Sequence, residues 1–398
     1  MQGITYRGVS VKSDLFESDH ESYRQTVRRF VESDVVPNLA RWDEQRSIDR
    51  DTWLAAGKLG LLGLSVPEEY GGSGVDDYRF RVVVISELAR VGAAALQSGF
   101  STNDDIVLNY LLRQGSSDQK RRWLPGFTTG ETIGAIAMTE PGTGSDLRGI
   151  KATAVQDGDT WVVNGTKTFI TSGVLADLVI VVVRTPRNDG TDALSLLVVE
   201  SGMPGFERGR QLHKIGLTAQ DTAELVFDNV RVPQENVLGE IGAGLGYLME
   251  SLPLERLGIA LAAQMSAEAA MHWTVKYVTE RKAFGKTISE FQNTGFVLAD
   301  LATRIDMVRA FLDRTVLQHS SGKLSPTDAA KAKLAATELQ WDVLDAGLQF
   351  HGGYGYMMEY PIAKAFIDAR VQRIYGGTNE IMKEIIQRDL FSSANRRS

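Results

Sequence analysis

The chain has 398 residues, 43% of them apolar and 23% charged, enough for two or three domains and a large buried core. Its net charge of −7, with no stripe of clustered Lys and Arg, leaves nucleic-acid binding without support, because phosphate recognition needs such clusters. It has no cysteine, which excludes disulfides, thiolate metal sites and a cysteine nucleophile.

Met1–Asp14 is mixed and polar, without the apolar segment of a secretory signal. No window approaches the about 18 apolar residues of a membrane span, and a cytoplasmic location is expected. Residues from about 15 to 130 read as helices: Tyr23, Val27, Phe30 and Val31 share one face at i, i+4, i+7, i+8 spacing. Pro67 to Gly74 is a loop by its Pro and Gly content. Further helices are expected from Asp77 to about Val91 and around Asp104 to Arg113.

At Ile133 the pattern turns to strands. Ala152 to Val155, the turn Gln156 to Asp159, and Thr160 to Val163 form a strand–turn–strand unit. Asn164-Gly165 is expected to be a second turn leading into Thr166 to Thr171. Leu178 to Arg184, Leu194 to Glu200 and Ala223 to Phe227 add β-branched strands, and the apolar run Leu178 to Val183 has strand length. Helix returns after the glycine-rich Gly239 to Gly246. Pro253 is expected in the first turn, where its missing N–H costs little. Helical patterns run on to about Arg281, from Ser289 to Ser320 and from Thr327 to Phe350, as in a four-helix bundle. The order helical, β, helical predicts an α+β multidomain protein with domains at 1–132, 133–240 and 241–398.

Ala137 to Asp146 carries two glycines and a serine after a short apolar strand, so main-chain N–H groups there can approach a pyrophosphate or a flavin edge. On composition alone a surface loop is the plainer reading. Neither a Walker loop nor a G-x-G-x-x-G fingerprint is present. The histidines His20, His213, His272, His319 and His351 lack ligand spacing, and no metal is expected.

From the Pro67–Gly74 loop to Ile381 the chain resembles the acyl-CoA dehydrogenases. Met138 to Asp146 is similar to the family's main flavin-contact motif, which implies cofactor contacts from Met138, Thr139, Gly144 and Ser145, with Ser145 also reaching substrate. Lys167 to Gly173 resembles the segment that packs an aromatic ring on the isoalloxazine. By that likeness Phe169 is the ring and Thr171 the hydroxyl near N5. Glu280 to Lys286, followed by Gln292, resembles a helix-end loop that reaches a neighbouring subunit's FAD, which gives Arg281, Phe284 and Gln292 that role. Gln349 and Gly353, in a further family loop, belong to the same cofactor end. Because two subunits build each FAD site in this family, a homo-oligomer, specifically a homotetramer, is implied.

Arg373 to Ile381 resembles the family's C-terminal loop, in which Thr378 and Asn379 touch FAD. Most of the family places its catalytic glutamate where this chain has Gly376. The N–H of that position donates to the thioester oxygen, and a glycine keeps it. Leu252 to Leu257 resembles the long-chain branch, whose base lies on this helix. Glu255 is therefore the candidate base, and Arg256 an organising and substrate-side residue. As residues alone, Glu255 reads more plainly as a first-turn glutamate favoured by the helix dipole. Glu380 is the rival carboxylate, but about one helical turn removed from Gly376. Glu140 belongs to the flavin loop.

The resemblance implies α,β-desaturation of an acyl-CoA, with electrons passed to an electron-transferring flavoprotein. The fold it implies is an N-terminal α-helical domain, a central β-barrel-like domain and a C-terminal four-helix bundle. Leu212 to Leu217 and Gln220 to Leu225 also resemble the long-chain branch, which implies a long or medium straight chain. Isovaleryl-type enzymes place their base on the same helix, so a short branched substrate stays open. A desaturase of carrier-protein-bound acyl groups, an acyl-CoA oxidase and a non-catalytic flavin scaffold are the alternatives.

Overall fold

The structure, a computed structural model, describes residues 15–187 and 191–395. The first helix, Ser18–Phe30, buries Val27 and Phe30 as its spacing predicts, against Trp53, Val83, Val84 and Leu88. Asp77 caps Tyr78–Arg90 by accepting the Arg79 N–H at 3.0 Å. The helix expected near Asp104 is longer. Ala94–Ser101 continues through a wide π-helical stretch, Thr102–Leu108, into Asn109–Gln114. Such stretches cluster at functional sites, and the helix that follows this one carries the buried Tyr110.

Eight strands form one mixed sheet: β1 (Gly134–Ala137), β2 (Thr153–Asp157), β3 (Thr160–Thr171), β4 (Leu178–Pro186), β5 (Asp192–Glu200), β6 (Phe206–Gln211), β7 (Thr222–Pro233) and β8 (Val237–Leu238). Their order is β6-β7-β3-β2-β4-β5-β8, with β1 parallel to β4. Val179, Val181 and Val183 enter one core with β3 and β7. Leu178, Ile180 and Val182 enter a second core with Val107, Leu108 and Phe127 of the preceding helices. Both faces of β4 are therefore buried, which is why its apolar run does not alternate.

Asn164-Gly165 is not a turn, contrary to expectation. β3 runs straight through it, with a bulge between Val163 and Gly165 in its pairing with β7. Gly165 is required there because a Cβ would lie 2.5 Å from that of Ala152.

Pro253 is likewise not in a first turn. Its helix begins nine residues earlier and spans Gly244–Glu280. Gly244 marks close packing, not a linker: a Cβ there would come within 2.7 Å of the Leu194 carbonyl. Glu255 thus sits inside a helix, beyond the reach of its N-terminal dipole. Gln292–Ser320, Pro326–His351 and Asn379–Asn395 complete the bundle. Alanines at 260 and 263 meet those at 332 and 336 in its core, which lets the helices approach closely.

Candidate active site

Glu255 is 5% exposed, and the Tyr110 hydroxyl donates to its Oε1 at 3.1 Å. Burial pushes its carboxyl up to about 7, against the opposing effects of the Tyr110 hydrogen bond and the Arg256 charge. Burial and the neighbouring Glu255 hold the Tyr110 phenol well above its usual range, so it stays a donor. Arg256, the next residue, donates from Nε to the Gly376 carbonyl at 3.2 Å.

Gly376 is left-handed, φ 64°, and a Cβ on it would lie 2.4 Å from Cδ1 of Ile259. Among the described residues its N–H meets no acceptor, which leaves it free to stabilise developing negative charge. Lys333 lies beneath the loop, fully buried, and donates to the Gly377 carbonyl at 2.8 Å and to Asn379 Oδ1 at 3.3 Å. Desolvation brings its ammonium down to about 8. The Asn379 amide donates to Thr337 and Glu338, so that side chain is spent inside the protein, holding the loop. Thr378 accepts the Ile381 N–H and starts the last helix. Glu380 is exposed, and the main-chain amide and Thr378 hydroxyl around it keep its carboxyl below the usual range. It has none of the burial that would make it a base near neutrality.

The second group of predicted residues lies on β3 and the loop between β1 and β2. Lys167, fully buried, pairs with Glu140 at 2.8 Å and donates to the Met138 carbonyl at 3.0 Å. The Thr139 carbonyl accepts the Thr168 N–H. Glu140 also takes the N–H groups of Lys151 and Ala152, so it braces the loop and has no capacity left for catalysis. Above this brace the loop is open: Ser145 is exposed, and a Cβ on Gly142 or Gly144 would meet nothing within 4 Å. Phe169 stands beside it, 68% exposed with φ 60°, at a bulge between Lys167 and Ile170. A strained, exposed phenylalanine next to open glycines suits a flat aromatic cofactor, and Thr171 lies two residues on.

Tyr375 ties the two groups together. Its hydroxyl is buried near Ser98, whose Oγ accepts Gln220 Nε2 at 2.6 Å, and the Asp221 carbonyl accepts the Ser172 N–H just after β3.

A third group lies apart. Arg281 sits over the Tyr354 ring at 5.7 Å, Phe284 is 95% exposed with φ 52°, and Gln292, Gln349 and Gly353 are exposed. Among the described residues no hydrogen bond or ring contact of these five reaches the other two groups.

Sequence reasoning missed Tyr110, Lys333, Thr337 and Glu338. The only local signal was a lysine in the alanine-rich Ala329 to Ala336, at a position where helical spacing predicts core. Among the described residues, no group of three or more His, Asp and Glu could hold a metal ion. Nor is any helix there long and apolar enough to cross a membrane.

A helical region, an eight-stranded sheet and a helical bundle, with a buried carboxylate next to the arginine that holds the Gly376 loop and an open glycine loop beside Phe169, fit the class of flavin-dependent acyl-thioester dehydrogenases. The chain matches the acyl-CoA dehydrogenase N-terminal domain over residues 17–131, the middle domain over 135–230 and the C-terminal domain over 242–391. It belongs to the acyl-CoA dehydrogenase family. The long-chain specific acyl-CoA dehydrogenase, mitochondrial, of Sus scrofa is 48% identical over 378 residues, covering 94% of this chain and 87% of the relative. An acyl-CoA dehydrogenase structure from Geobacillus kaustophilus superposes with a TM-score of 0.92 at 46% identity, covering 95% and 100% of the two chains. A glutaryl-CoA dehydrogenase from Mycobacterium smegmatis in complex with FADH2 superposes with a TM-score of 0.88 at 28% identity, over 94% and 95%.

Proposed function

We propose that this chain desaturates an acyl-CoA thioester between its α- and β-carbons, with Glu255 as the base. One observation carries the reading: Glu255 is buried, titrates near neutrality, and is followed by the arginine that holds the Gly376 loop. A carboxylate with a pKa near 7 accepts an α-proton far better than one near 4, and Tyr110 orients it. The free Gly376 N–H donates to the thioester oxygen as charge builds there, and Arg256 holds its carbonyl from behind. FAD, when bound, supplies the acceptor for the β-hydride.

Met138, Thr139, Gly144, Ser145, Phe169 and Thr171 would hold FAD from one chain, with Thr378 and the main chain of Asn379. Arg281, Phe284, Gln292, Gln349 and Gly353 would complete the site from a neighbouring subunit, and their exposure in one chain supports this. The proposal therefore includes a homotetramer, the three domain limits given above, an electron-transferring flavoprotein as acceptor and a long or medium straight acyl chain. A role in fatty-acid β-oxidation follows from that substrate. The long-chain name of the Sus scrofa relative supports the chain length. A cytoplasmic location is also part of the proposal, and since that relative is mitochondrial by name, cell fractionation decides between the two.

The test is anaerobic bleaching of the yellow holoenzyme by acyl-CoAs of graded length and branching. Bleaching by a long or medium straight chain is expected. Bleaching only by carrier-bound acyl groups would replace the substrate, peroxide formation in air would replace the acceptor, and bleaching by none would leave a flavin scaffold.

A further inference from the structure

Three consecutive residues of the wide helical stretch Thr102–Leu108 are tied to three different parts of the molecule. Asn103, fully buried, accepts the Gly134 N–H at the start of β1 at 2.9 Å. Asp104 accepts the Gly63 N–H at 3.2 Å. Asp105 pairs with Arg81 of the helix Tyr78–Arg90, Nε to Oδ1 at 3.2 Å, and Arg81 Nη2 donates to Ser101 at 3.2 Å. Arg81 and Asp105 are each 4% exposed. Stability does not explain such a pair, because two apolar side chains of similar volume often pack as well or better. What an ion pair adds is direction: the planar guanidinium fixes where the carboxylate, and the chain that carries it, must lie.

Asp105 also lies against the helix that carries Glu255. A Cβ on Gly258 would stand 3.3 Å from Asp105 Oδ2 and 3.5 Å from the Tyr78 hydroxyl, so a glycine lets the carboxylate approach that helix. Gly258 is three residues on from Glu255, on the same face. Tyr110, five residues after Asp105, meets Glu255 itself at 3.1 Å. On a regular α-helix, residues five apart point about 140° away from each other. The π-helical stretch, whose hydrogen bonds close at i+5, brings them round to one side, and both then meet Gly244–Glu280 within one turn. Tyr78, Asp104 and His319 also face the pair, and Tyr110 and Arg256 face Glu255.

We propose that the buried Arg81–Asp105 pair is a positioning device for the base: it locks the wide turn in the register that lays the Tyr110 hydroxyl on Glu255. This rests on Glu255 being the base, and it adds Arg81, Asp105 and Gly258 to the residues that set its action. Tyr110 favours the ionised carboxylate by donating to it. Without the pair the turn relaxes toward α-helical geometry, which swings Tyr110 away around the helix. Glu255 then titrates at a higher pH, and fewer molecules stand ready to take the α-proton near neutrality.

The test uses the holoenzyme and two readouts. Difference infrared spectroscopy follows, as pH is varied, the protonated-carboxyl band that Glu255→Gln removes, and kcat/KM for dodecanoyl-CoA is measured over the same range. Tyr110→Phe sets the scale, with an upward shift of about one pH unit. Arg81→Met together with Asp105→Leu removes both charges at once. That variant should shift the band and the acid limb of kcat/KM upward by at least about half a unit. Gly258→Ala crowds Asp105 Oδ2 without removing any charge and should shift both the same way, so one misfolded variant does not decide the matter. Added to Tyr110→Phe, neither change should shift them further, because both act through the same hydroxyl. A band that stays in place in the pair variant and in Gly258→Ala, or shifts that add fully to those of Tyr110→Phe, makes the pair structural only and overturns the inference. A band that shifts while the kcat/KM profile does not follow it upholds the positioning and overturns Glu255 as the base instead.

Discussion

Arg256 Nε donates to the Gly376 carbonyl at 3.2 Å, across 120 positions of sequence. The residue after the proposed base thus grips the loop position whose N–H is proposed as the oxyanion donor. The two proposed roles are thereby held in one geometry.

Glu255→Gln should keep bound yellow FAD and lower kcat for desaturation by about three to four orders of magnitude, because the amide cannot take the α-proton. Glu380→Gln should stay near normal. Stopped-flow flavin reduction measures both, and the reverse pattern would reassign the base.

The raised carboxyl gives a pH signature. Glu255 must be ionised to act, so kcat/KM should rise tenfold per pH unit and level off above about 7. Linkage has the opposite sense. A carboxyl whose folded pKa lies above its unfolded value favours folding below the unfolded value, and that advantage is lost as pH rises through the folded one. Glu255→Gln should therefore stabilise the protein at pH 8, by on the order of 2–3 kcal/mol, and have little effect at pH 4. Thermal unfolding at the two pH values checks it.

Gly376→Ala places a Cβ 2.4 Å from the Ile259 side chain at φ 64°. A loss of about 1–3 kcal/mol and a fall in kcat are expected. Ile259→Val, which removes Cδ1, should restore part of both, and a double-mutant cycle with no coupling would contradict the packing described here.

Lys333→Met removes the donor to the Gly377 carbonyl and Asn379. The Gly377 carbonyl loses its donor and Asn379 Oδ1 keeps only Thr337, so the loop should loosen and kcat fall at least about tenfold with FAD content unchanged. If KM rises while kcat holds, Lys333 serves binding and not loop position.

Phe169→Gly should raise the stability of the cofactor-free protein by up to about 1 kcal/mol, since a glycine relieves φ 60° and the ring is mostly exposed. FAD affinity should fall at the same time. Isothermal titration with FAD, alongside thermal unfolding, separates the two effects.

Local pattern alone determined much of this protein. Helical spacing places Val27 and Phe30 in the core, and the apolar run of β4 reveals a strand buried on both faces. The motifs around Met138, Phe169 and Glu255 carry the family resemblance because each lies within a few residues of chain. What failed locally were glycine and proline, whose meaning depends on what approaches them. Gly165 meets Ala152 and Gly244 meets Leu194, contacts that no neighbouring residue announces. The chemistry was decided only in three dimensions. Tyr110 reaches Glu255 across 145 positions, and Lys333 reaches Gly377 across 44. A glutamate in a helical pattern is an ordinary acid until packing from distant helices takes water from it. That desolvation, a property of the assembled core, is what raises the Glu255 carboxyl to about 7.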